Sequence, residues 1–160
     1  MFRQAFLVTT MLLWLTGCGF HLQGQTEVPE EMQRTYIATD DEYSIFYREL
    51  RRQLEANGIE VVSSSVDASA TLSIHLDDTG QRVLSVSARN VPTEYEVFYT
   101  IEYSVASGEA ALQPRQFISL TKDYTYDETL VLGKAQEEQV LREAIAADLA
   151  RTVLRQLGSL

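Results

Sequence analysis

From Glu94 to Val105 apolar and polar residues alternate almost without interruption, a period of two that a helix cannot satisfy and a half-buried strand requires. Tyr95, Val97, Tyr99, Ile101, Tyr103 and Val105 share one face, with Glu94, Glu96, Thr100, Glu102 and Ser104 on the other, and only Phe98 breaks the order. At roughly 3.3 Å per residue such a strand runs some 40 Å, about twice the usual length, so it is expected to project beyond its neighbours. Its apolar face must be covered by another layer.

The rest of the chain supplies both the neighbours and the cover. Thr35–Ala38 and Ile59–Val62 read as short strands, and Ala70–Leu76 alternates Leu72, Ile74 and Leu76 against Ser73 and His75. Asp77-Asp78-Thr79-Gly80 has the composition of a turn, after which Leu84, Val86 and Ala88 alternate with Ser85, Ser87 and Arg89, predicting a hairpin. Arg115–Tyr126 is a further long strand with Ile118, Leu120, Tyr124 and Tyr126 on one face, interrupted by Lys122. Thr39-Asp40-Asp41-Glu42 matches a capping box, and the helix it would start repeats Phe46, Leu50 and Leu54 and stops at Asn57-Gly58. A second helix over Leu132–Leu157 carries Leu141, Ile145, Leu149, Val153 and Leu157 as a stripe, widened by Val140 and Leu154, with a favourable Glu138–Arg142 spacing. These elements predict an α+β two-layer sandwich, two helices on one face of a mostly antiparallel or mixed sheet of four to five strands.

Chemistry is harder to find. His21 and His75 have no partner at metal-ligand spacing, and no serine sits in a nucleophile-elbow context that would make His75 with Asp77 or Asp78 part of a triad. The acidic pairs are explained by capping, by the turn and by a solvated strand face, and no glycine-rich phosphate loop occurs. Neither a metal site nor a cofactor is expected, and the chain does not read as an enzyme. Arg89 stands out, at a strand end beside Asn90-Val91-Pro92, where a guanidinium can present its fork to a phosphate.

The N-terminus sets the compartment. Arg3 precedes an apolar stretch from Ala5 to Leu15, too short for a membrane span and of the length of a signal-peptide core. Leu15-Thr16-Gly17-Cys18 then resembles the bacterial lipobox, which makes Cys18, the single cysteine, the expected acylated N-terminus after residues 1–17 are removed. Two or three acyl chains hold a domain to a bilayer where one does not. Gly19 in place of the aspartate that retains many Gram-negative lipoproteins in the inner membrane favours the outer membrane. Residues 18–33 read as the lipidated anchor and an extended tether, and 34–160 as one domain. Removal of 1–17 takes one of 13 basic residues and no acidic one, leaving 12 against 23, a net charge of −11. That balance argues against nucleic acid and against electrostatic adhesion to an anionic membrane, so attachment falls to the lipid.

Taken in order, Gly17-Cys18-Gly19-Phe20-His21-Leu22-Gln23-Gly24, Ala88-Arg89-Asn90 leading into Thr93–Val97, Tyr124-Thr125-Tyr126-Asp127, and Leu132-Gly133-Lys134-Ala135 with Glu137-Glu138 resemble the LPS-assembly lipoprotein family, LptE. Relatives often carry a basic residue where this chain has Gln23. The resemblance implies a lipid-anchored protein on the periplasmic side of the outer membrane. It would plug an LptD-type β-barrel that inserts lipopolysaccharide into the outer leaflet, help that barrel assemble, and contact lipopolysaccharide itself. Motif correspondence puts the lipopolysaccharide-binding cations at Arg89 and Lys134. The alternative is a lipoprotein that scaffolds another outer-membrane complex and ignores lipopolysaccharide.

Overall fold

The computed structural model describes residues 28–125 and 131–160, and of residues 131–135 the backbone alone. Cys18, His21, Tyr126 and Asp127 lie outside the described residues. Five strands, β1 (Arg34–Ala38), β2 (Glu60–Val62), β3 (Ala70–Val86), β4 (Pro92–Ser107) and β5 (Ala110–Thr125), form one sheet in the order β2-β1-β3-β4-β5. β1 runs parallel to β2 and β3, and β3, β4 and β5 form an antiparallel meander. Helices α1 (Ile45–Ala56) and α2 (Val131–Leu157) pack against one face of the sheet, so the α+β sandwich expected from the sequence is the observed fold.

The core follows from the alternation. Val97, Tyr99, Ile101, Tyr103 and Val105 are all buried beneath Phe46, Leu50 and Leu54 of α1 and Ile145, Leu149, Val153 and Leu157 of α2. Leu154 is buried as expected, but Val140 is exposed, and the small side chains of Ala146 and Ala150 complete the buried stripe instead. The side-chain amide of Gln53 donates to the Ala147 carbonyl at 3.2 Å and joins the helices. Met32, in a 3-10 turn over Glu30–Met32, is fully buried, and its carbonyl accepts from Thr35 Oγ1 at 2.7 Å.

Three local expectations give way. Asp77–Gly80 is not a turn but the middle of β3, which runs for 17 residues. The reversal into β4 comes later, at Ser87–Val91, with Asn90 at φ 61°. The long alternating strand does not outrun its neighbours β3 and β5, of 17 and 16 residues; the meander as a whole outruns β1 and β2, of 5 and 3. Helix α1 starts not at the Thr39 capping box but after Ser44, whose Oγ accepts from Tyr47 N at 3.0 Å. Thr39 and Asp41 instead close two short turns, accepting from the amides of Asp41 and Tyr43.

Candidate functional site

The meander's far end is the part of the sheet that β1 and β2 do not reach. There Val86 pairs with Pro92, and Glu94 pairs with Thr125. Arg89 occupies the turn beyond them and is exposed. The sequence supplies few cations to an acidic chain, and the fold uses nearly all of those described. Arg34 pairs with Glu60, Arg51 with Glu55, Arg52 with Glu49, Arg115 with Glu102 and Lys122 with Asp148. Arg82 is held by Glu96, Arg142 by Glu138 and Arg151 by Asp148. Arg48 and Arg155 donate to the Tyr43 carbonyl and to Thr152 Oγ1. Among the described cationic side chains Arg89 alone has neither an ion pair nor a hydrogen bond.

Lys134 lies near the start of α2, which begins six residues after β5 ends at Thr125. Asp148 of that helix reaches Lys122 of β5 at 3.2 Å, and Gln156 accepts from the Tyr103 hydroxyl at 2.5 Å, so α2 descends from the turn end of the sheet toward the other. Lys134 stands fourteen residues before Asp148, about 21 Å back along the axis at 1.5 Å per residue. Arg89 and Lys134 therefore belong to the same end of the molecule.

Behind the turn the sheet is stiffened by aromatic and amide contacts. The Tyr95 and Tyr124 rings stack at 5.6 Å between centroids, and the Tyr124 hydroxyl donates to Gln81 Oε1 at 2.9 Å. Phe98, the residue that broke the alternation, lies on the outer face over Gly80, where a Cβ would come within 2.7 Å of its ring. Glycine inside a strand here makes room for that close approach. Arg82 reaches over the same ring at 6.0 Å.

The remaining candidates are quiet. His75 Nε2 lies 2.8 Å from Ser104 Oγ, a single contact between two side chains on the exposed face. Among the described residues no three His, Cys, Asp or Glu side chains gather as metal ligands, and no helix is long and apolar enough to cross a membrane. A cleft of about 460 Å³ lies at the other end of the molecule, beside β1, β2 and α1, and its Arg34 and Arg51 are already paired.

Fold and site thus define a class: a small two-layer α+β domain whose antiparallel meander extends past its short strands and carries at its tip the one described cation with neither an ion pair nor a hydrogen bond. Within that class the family model for LptE, described as Lipopolysaccharide-assembly, matches residues 32–157, and the chain belongs to that family. The LPS-assembly lipoprotein LptE of Yersinia pestis (strain Pestoides F) is 28% identical over 156 residues, covering 94% of this chain and 75% of the relative, and its Yersinia pseudotuberculosis (serotype O:1b) counterpart aligns identically well. Among solved structures, the rare lipoprotein B of Shewanella oneidensis superposes with a TM-score of 0.68 at 26% identity, covering 79% of this chain and 94% of that one. A lipoprotein B from Nitrosomonas europaea does so with 0.73 at 26% identity, covering 88% and 91%.

Proposed function

We propose that this protein is an outer-membrane lipoprotein, anchored through acyl chains on Cys18 after loss of residues 1–17. In this reading it works with a large LptD-type β-barrel to place lipopolysaccharide in the outer leaflet, plugging the barrel, aiding its assembly and binding lipopolysaccharide itself. The family match across residues 32–157 carries the reading, and the relatives' names carry the lipopolysaccharide-assembly role. The contribution to lipopolysaccharide binding is assigned to Arg89 and Lys134. Arg89 supports it by being unpaired in a chain of net charge −10, where a phosphate meets no competing intramolecular carboxylate. No catalytic step and no cofactor beyond the acyl chains enter the proposal.

Affinity capture of the full-length lipoprotein from detergent-solubilised outer membrane tests the partner. A stoichiometric large β-barrel with lipopolysaccharide is expected; recovery of the lipoprotein alone, or with an unrelated protein, overturns the plug reading. Arg89→Glu with Lys134→Glu tests the site, with lipopolysaccharide affinity expected to fall at least about tenfold, or about 1.4 kcal/mol. A charge reversal at an exposed position such as Arg89 usually costs under about 0.5 kcal/mol of stability, and a double variant that melts normally yet keeps parental affinity removes both residues from the site.

A further inference from the structure

The end of the β3–β4 hairpin departs from the rest of the surface in charge and hydrophobicity at once. From Thr79 to Thr93 no aspartate or glutamate occurs, the longest such run among the described residues of a chain that has 23. Within it Val83, Leu84 and Val86 are 48%, 46% and 52% exposed. The pairing of β3 with β4 shifts register between Val83 and Ser85 and again between Ser85 and Val86. The two-residue period is lost beyond Val83, which itself still pairs with Tyr95, and all three side chains stay outside the buried core. A single exposed apolar residue needs no explanation; three within four positions, three residues from an unpaired guanidinium, do.

A free anion would need only the cation, and a buried apolar partner only the apolar strip. Together they match an amphiphile in which a phosphate and acyl chains are joined. We infer that Val83, Leu84 and Val86 are an acyl-chain contact for the same phosphorylated lipid whose phosphate Arg89 meets. The inference rests on the reading of the protein as lipopolysaccharide-binding and names the part of that lipid which the hairpin holds. Arg82 takes no part, because Glu96 occupies it.

The full-length acylated protein in phosphatidylcholine nanodiscs is titrated with lipid A and with the same phosphorylated disaccharide stripped of its acyl chains. The parent is expected to bind lipid A at least tenfold more tightly than the stripped probe. Val83→Thr with Leu84→Gln and Val86→Thr, which keeps β-branched residues in the strand, should abolish that difference while leaving affinity for the stripped probe unchanged. Arg89→Glu should weaken both. A triple variant that keeps parental affinity for lipid A overturns the acyl contact and leaves the lipopolysaccharide reading standing; a parent that saturates with neither probe overturns both. A photo-crosslinking residue in place of Leu84 gives an independent readout, expected to capture lipid A where the same residue in place of the exposed Phe117 does not. Adducts at position 84 with protein alone would equally overturn the inference.

Discussion

The Asp77 carboxylate sits between the sheet and the first helix, Oδ1 accepting from the Tyr99 hydroxyl at 2.7 Å and Oδ2 from Ser44 Oγ at 2.5 Å. Both hydroxyls then serve the start of α1: Tyr99 accepts from Phe46 N at 3.1 Å and Ser44 from Tyr47 N at 3.0 Å. Two of the amides that every helix leaves without an internal partner are thus satisfied through one carboxylate on another element. Asp77→Ala removes the shared acceptor and strands a tyrosine hydroxyl on a side chain that is 1% exposed, so urea denaturation is expected to show a loss of about 2 kcal/mol. An unchanged midpoint would mean that water replaces the carboxylate at no cost. Burial, with Asp77 beside it, also holds the Tyr99 hydroxyl well above its ordinary range, and burial pushes Tyr103 up to about 12. An unfolded tyrosine loses its proton near 10 while the folded one keeps it, so above that pH the native state binds more protons than the unfolded one and stability falls as pH rises. The contribution is complete below about pH 10 and is lost progressively toward pH 12. Urea midpoints measured from pH 9 to 12 should fall less steeply in Tyr103→Phe than in the parent; equal slopes would show that Tyr103 ionises as freely folded as unfolded.

How Asp77 comes to face inward is decided at the level of the strand. Ile74 pairs with Tyr103 and Leu76 with the next residue back, Glu102, leaving His75 as an extra residue, a β-bulge. Residues directly opposite share a face, so past the bulge Asp77, Thr79, Gln81 and Val83 turn in beside Ile101, Tyr99, Val97 and Tyr95. Leu76 turns out and is 38% exposed. Deleting His75 should restore the uninterrupted period and expel Asp77, costing more than about 3 kcal/mol, whereas His75→Ala, losing one exposed contact, should cost about 0.5 kcal/mol or less. Similar melting of the two variants would show that the register beyond the bulge contributes little. This bulge is also why part of the strand was illegible in the sequence. The alternation over Glu94–Val105, broken only at Phe98, and the helical stripe of Ile145, Leu149 and Val153 name their buried faces outright, because neither loses its phase. Nothing in the residue type of His75 signals an inserted position. Asp-Asp-Thr-Gly favours a turn through its local side-chain bonds, but Tyr99, Ser44 and the Phe98 carbonyl, which accepts from Thr79 Oγ1 at 2.8 Å, offer partners distant in sequence that prevail. The capping box at Thr39 fails for the same reason, since the cap that wins, Ser44, is the one that Asp77 can reach.

Across the whole molecule these devices separate stability from reach. Chain entry lies beside the start of β3, where Ser69 Oγ donates to the Glu31 carbonyl, and the Arg89 turn lies beyond its other end. Seventeen residues at about 3.3 Å put roughly 55 Å between the two ends. The fully buried side chains cluster along Leu72, Val97–Val105, α1 and α2, while Val83, Leu84 and Val86 beside the turn remain largely open. Half of the tip was legible: the sequence sets Arg89 at a strand end beside Asn90-Val91-Pro92, and the structure has it exposed there. The apolar half was not, because Leu84 and Val86 continue the parity of Leu72 and Ile74 in the sequence, which the bulge at His75 and the later register shifts break. If the tip is for binding and the rest for folding, replacing Ser85–Thr93 with an Asn-Gly turn should leave the melting temperature within about 5 °C of the parent, since no fully buried side chain is removed. The same variant should lose lipopolysaccharide capture. Calorimetry beside a binding titration separates the outcomes: a melt far below the parent would make the hairpin end part of the cooperative core, and retained capture would move the binding surface off the tip.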